Sequence, residues 1–98
     1  MEELITLYPD IKEKQEGGHR YIYIPNLSIN GKVMEGLLCL TERDGYPTRL
    51  FLAEPVENKL PWAVHQVLGR AWHTWSWNYV NGSLRPVEIL AEHMRGLR

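Results

Sequence analysis

The chain has one cysteine, one phenylalanine and no apolar run near the roughly 18 residues that a membrane-spanning helix requires. A lone Cys39 excludes an intramolecular disulfide, and the flanking Gly36-Leu37-Leu38 and Leu40 read as a buried strand in which the thiol serves as a small hydrophobe. A nucleophilic thiol needs exposure and a nearby cation or helix start, and this setting offers neither. Excess charge is also missing. Twelve acidic and 11 basic residues leave a formal net charge of -1, and the basic residues are scattered from Lys12 to Arg98, which argues against nucleic acid as a partner. The opening residues carry neither the basic nor the apolar region of a secretory leader, so the expectation is a cytoplasmic protein without membrane association.

Chemical motifs are equally scarce. His19, His65, His73 and His93 show no His-x-x-x-His spacing, and one cysteine cannot make a Cys-x-x-Cys pair, so no metal is expected. Gly17-Gly18 lacks the surroundings of a phosphate-cradling loop, so no nucleotide cofactor is expected either.

What the sequence does hold is a core and a surplus of large rings. With 98 residues, 44% of them hydrophobic, the chain suits one domain spanning residues 1–98. Four tryptophans and five tyrosines are more than so small an interior readily encloses, which points to a protein partner or a second copy of the chain in a homo-oligomer.

Pattern along the chain predicts an α+β fold, an antiparallel β-meander of three to four strands packed against helices. Leu4 to Tyr8 reads as a short strand and Lys12 to Gly18 as the approach to a glycine reversal. Tyr21 to Ile24 follows as a strand, with the tyrosines on one face and the isoleucines on the other, ended or placed at an edge by Pro25. Asn30-Gly31 is a two-residue hairpin turn, Gly36 to Thr41 a central strand, and Arg49 to Ala53 the next. Pro61 to Gly69 fits a two-turn helix, whereas Trp72 to Tyr79 satisfies strand and helix spacing alike. Pro86 opens a closing helix, with Val87, Leu90, Ala91, Met94 and Leu97 toward the sheet and His93 at the surface or boundary. Helices on one side would leave the other sheet face open to a partner.

The candidate contact set follows from the aromatics: Trp72, Trp75, Trp77 and Tyr79, joined by Tyr21 and Tyr23. An alternative is a small hydrolase or transferase pairing His65 or His73 with Glu54 or Glu57, which requires an imidazole and a carboxylate within hydrogen-bond reach. A third reading is a structural subunit of a homo-oligomer.

The order of features resembles the ubiquitin-conjugating, E2-like (UBC-like) fold, especially the short prokaryotic members found beside ubiquitin-like modifiers. The carrying residues are the meander, the Gly45-Tyr46-Pro47 turn ahead of Leu50 to Ala53, Pro55 beyond it, the aromatic segment Gly69 to Ser76, and the helix introduced by Leu84-Arg85-Pro86. The resemblance spans Tyr8 to Leu97. It places the family's reactive cysteine beyond the Tyr-Pro turn, where residues 55–79 contain none, and the family's His-Pro-Asn segment is absent. The resemblance therefore implies a member without thioester chemistry, a noncatalytic binding or scaffold module in a bacterial modifier-related system.

Overall fold

A computed structural model of the chain describes residues 2–42, 45–56, 62–75, 80, 83–95 and 97. The elements run α1 (Glu2–Leu7), β1 (Lys12–Glu16), β2 (His19–Ile29), β3 (Lys32–Cys39), β4 (Arg49–Leu52), β5 (Trp62–Val67), β6 (Arg70–Trp75) and α2 (Pro86–Arg95). Among the described residues six strands join one antiparallel sheet in the order β1-β2-β3-β4-β6-β5. This is a compact α+β domain with two helices packed on one side of the sheet, and the meander of three to four strands is extended by β1 and by the β5–β6 hairpin.

The opening strand expected at Leu4 to Tyr8 is instead helical. Glu3 sits near the positive end of the helix, the Tyr8 amide donates to the Leu4 carbonyl at 2.8 Å, and Leu4 is fully buried. Pro9 follows where the helix stops.

Pro25 does not end its strand. It lies instead where β2 is an edge, as the alternative expectation had it: β1 pairs no further than Tyr23, and the β2–β3 register shifts between Ile24 and Leu27, a bulge that accommodates the proline's missing donor. Leu27 then covers Gly36 so closely that a Cβ there would lie 2.7 Å from Leu27 Cδ2. The Asn30-Gly31 turn, with φ of 50° and 82°, returns the chain as a primed hairpin turn does.

The helix expected over Pro61 to Gly69 is strand β5; Pro61 itself lies outside the described residues. Leu68 and Gly69 adopt φ of 51° and 79°, a reversal that no helix end explains, and Trp62 to Val67 pairs residue by residue with Arg70 to Trp75. Long-range pairing outweighs a local pattern compatible with either state.

The face toward the helices holds the larger core. Ile22, Ile24, Leu38, Leu50 and Leu52 from the sheet meet Leu4, Ile89, Leu90 and Leu97, each such side chain contributing about 1.5–3 kcal/mol when fully buried. Arg85 ties the helices together through one guanidinium nitrogen that donates to both Glu3 carboxylate oxygens, at 2.7 and 2.8 Å. Within α2 the buried arc is Ile89, Leu90 and His93, while Val87 and Met94 are partly buried and Ala91 is exposed. His93 is thus an interior residue, and its reach to Thr48 Oγ1 at 2.9 Å is what makes burial of an imidazole tolerable.

The opposite face is not left open. Tyr21, Leu37, Cys39, Phe51, Val67 and Trp72 form a second buried cluster there. The tip of the β5–β6 hairpin curls over it: the Leu68 amide donates to Glu16 Oε1 at 3.0 Å, and an Arg70 guanidinium nitrogen lies 3.0 Å from Glu35 Oε2. Among the described residues no helix is long and apolar enough to cross a membrane.

Candidate binding groove

Where the hairpin tip meets β1 and β3 it leaves a groove of about 460 Å3. Its β1 wall consists of Lys12, Lys14 and Glu16, which share one face because residues two apart on a strand point the same way. Lys12 stands opposite Tyr23, and Lys14 opposite Tyr21. The other wall is the hairpin, with Leu68, Arg70 and Trp72.

Three groups tie the groove together. The Tyr23 hydroxyl donates to Glu35 Oε2, and Arg70 donates to the same oxygen. These two donors hold the Glu35 carboxyl below its ordinary range, the tyrosine bond acting most strongly. The reciprocal effect raises the Tyr23 phenol, chiefly through its bond to Glu35 and then through partial desolvation. Glu35 is therefore a compensated carboxylate that fixes Tyr23 and Arg70. Arg70 also lies over the Trp72 ring at 4.3 Å from its centroid, shielding that indole from water.

Lys12 and Lys14 contrast with this set, since neither ammonium group makes a hydrogen bond or ion pair among the described residues. Other exposed cations are engaged: Lys32 with Glu54 at 3.1 Å, Arg20 with Glu13 at 3.6 Å and Arg95 with Glu92 at 3.0 Å.

Of the aromatic contact set, Tyr21, Trp72 and Trp75 are buried, at 1%, 1% and 3% exposure, and serve as core. Trp72 donates its N–H to the Val67 carbonyl at 3.1 Å, and Trp75 packs against Trp62 at 5.1 Å between centroids. Tyr23 is half-buried and lines the groove. Trp77 and Tyr79 lie outside the described residues. The structure therefore brings Tyr23 and Trp72 to one site and separates Trp75 onto the helix side. Lys12, Lys14, Glu35 and Arg70 were not among the expected contacts, although the alternation Lys-x-Lys-x-Glu before the glycine reversal could have marked one polar face of a strand.

Among the described residues no hydrogen bond or ion pair joins His65 or His73 to Glu54. His65 packs its ring against Phe51 at 5.9 Å, His73 is its neighbour's counterpart on the other sheet face, and Glu54 is engaged by Lys32. Glu57 lies outside the described residues. Among the described residues no group of three or more His, Cys, Asp or Glu side chains is placed to hold a metal ion. Comparison with protein-family models, curated proteins and solved structures finds no match for the chain.

Proposed function

We propose that this protein is a noncatalytic protein-binding or scaffold module of E2-like architecture, with the groove between β1 and the β5–β6 hairpin as its docking site. The observation that carries the proposal is a preformed concavity whose fixed groups, Tyr23, Glu35 and Arg70, are satisfied by one another while the ammonium groups of two lysines at its rim have no partner among the described residues. Rigid polar groups that need no rearrangement lower the cost of binding.

Support for the noncatalytic part comes from Cys39. It is fully buried, and its thiol lies 3.2 Å from the Thr41 carbonyl. A thiol without solvent access cannot receive a modifier. Support for the E2-like part is the succession of antiparallel strands, the Gly45-Tyr46-Pro47 turn directly ahead of β4, and the closing helix α2.

Site-specific photocross-linking in the cell of origin tests the proposal. A photoreactive residue in place of Lys14 is expected to give a discrete protein adduct, and one in place of the exposed Ile5, outside the groove, is not. Identical adduct patterns at the two positions, or none at position 14, would remove the groove as a docking site.

A further inference from the structure

We infer that the groove selects an extended acidic segment of its partner, with carboxylates at alternate residues seated against Lys12 and Lys14; this rests on the docking reading above. The spacing carries the first part of the argument. Side chains two residues apart on a strand leave the same face about 7 Å apart, and an extended peptide presents its own alternate side chains at that interval. A segment running along β1 therefore meets both ammonium groups in register.

Charge carries the second part. Glu35 is paired with Arg70, and Glu16 keeps its charge while accepting from the Leu68 amide. Lys12, Lys14 and Arg70 against Glu16 and Glu35 leave the lining with a net positive charge, which sits on the two lysines, without an ion-pair partner among the described residues, and an anionic ligand is the complement. The intervening side chain of the segment points toward the hairpin wall, where half-buried Leu68 offers an apolar surface.

Length carries the third. The groove continues past Lys12 and Tyr23 into a second depression bounded by Pro9, Asp10 and Pro25, so its floor follows all of β1. Five strand residues span roughly 17 Å, enough for a segment of about five residues. A nucleic-acid strand fits less well, because it carries a phosphate at every residue while the groove offers only two lysines without a partner among the described residues.

The test is fluorescence anisotropy with the full chain and a labelled octapeptide centred on Asp-Leu-Asp, compared with peptides centred on Asn-Leu-Asn and Lys-Leu-Lys and with a labelled single-stranded oligonucleotide. The acidic peptide is expected to bind most tightly. Lys12→Glu with Lys14→Glu should weaken it by about tenfold or more and gain binding of the Lys-Leu-Lys peptide. β1 is exposed along its whole length, so the double variant should fold, and circular dichroism melting checks that it does. Equal binding of the Asn-Leu-Asn peptide, an affinity unchanged by the charge reversal, or tighter binding of the oligonucleotide overturns the assignment. A cross-linked partner at position 14 alongside any of those results removes the acidic ligand while the docking site stands; no adduct and no peptide binding removes both.

Discussion

The backbone amide of Leu68 donates to Glu16 Oε1 at 3.0 Å across 52 residues of sequence. One edge strand of the sheet is thereby fastened to the turn of the hairpin that forms the other edge, and the second core cluster is enclosed between them. The turn itself is unfavourable for its sequence, since Leu68 holds φ of 51° where a β-carbon is crowded. Partial burial of the leucine side chain beside Val67 and Trp72 and the carboxylate bond to its amide offset that strain.

Removing the carboxylate should loosen the tip more than the whole. Glu16→Ala is expected to cost no more than about 1 kcal/mol of global stability, because the bond is exposed to water. Hydrogen exchange at residues 67–70 should nevertheless accelerate, as the tip opens without unfolding the sheet. Glu16→Gln keeps an acceptor oxygen and should preserve most of the protection. Mass-spectrometric exchange on the three proteins decides the matter; equal rates at the tip would show that the bond holds nothing in place.

His93 sets an acid limit on stability. Burial, aided by the positive charge of Arg49, pushes its pKa down from 6.5 to about 4. Thr48 donates its hydroxyl hydrogen to the Val80 carbonyl at 2.9 Å, so the 2.9 Å contact with His93 requires the imidazole to donate through Nε2 and fixes the neutral tautomer. The unfolded chain binds a proton at this residue between pH 6.5 and 4 while the folded chain does not. Stability is therefore full above pH 6.5 and falls as pH drops toward 4, with a loss on the order of 2 kcal/mol between pH 7 and pH 5 from this group. Urea unfolding at those two pH values should show a steeper dependence in the wild type than in His93→Gln. Parallel behaviour of the two would place the acid sensitivity elsewhere.

Trp72 and Trp75 are almost equally buried but differ in what their nitrogens do. Trp72 donates to the Val67 carbonyl, whereas the buried Trp75 N–H has no acceptor among the described residues. Replacement by phenylalanine therefore removes a satisfied bond in one case and an unsatisfied donor in the other. Trp72→Phe is expected to cost about 1–3 kcal/mol beyond its loss of contact area, and Trp75→Phe distinctly less. Thermal unfolding of the two variants provides the comparison, and a larger loss for Trp75→Phe would reverse the assignment.

Local chemistry made some of this fold legible. Asn30-Gly31 announced its turn because few other pairs tolerate two positive φ angles, and the alternation through Leu37 to Leu40 sorted residues correctly between the two cores. Leu68-Gly69 gave no such signal, since leucine is not a turn residue, and Pro61 followed by apolar residues and Gly69 satisfies the rules for a short helix. The groove was hidden for the same reason. Tyr23, Glu35 and Arg70 belong to three strands, and only the curl of the hairpin brings them together. Periodicity along α2 likewise could not place His93 inside, because its burial depends on Thr48, 45 residues earlier.

Cys39 offers the most direct check on the proposal that the protein carries out no thioester chemistry. Its side chain lies in the second core beside Tyr21, Leu37 and Phe51, and the neighbouring Thr41 carbonyl accepts from the thiol. Reaction with a thiol reagent in native buffer must then wait for opening of the β5–β6 hairpin or of the whole domain. Labelling is expected to be slow without denaturant and to reach one equivalent promptly in urea. Glu16→Ala, by loosening the hairpin, should quicken the native reaction, which links the thiol's shelter to the clasp. Cys39→Ala should cost on the order of 1 kcal/mol through lost packing and leave peptide affinity unchanged, since the thiol does not line the groove. Prompt stoichiometric labelling of the folded wild type, or loss of peptide binding in Cys39→Ala, would return the cysteine to the list of working residues and end the noncatalytic reading.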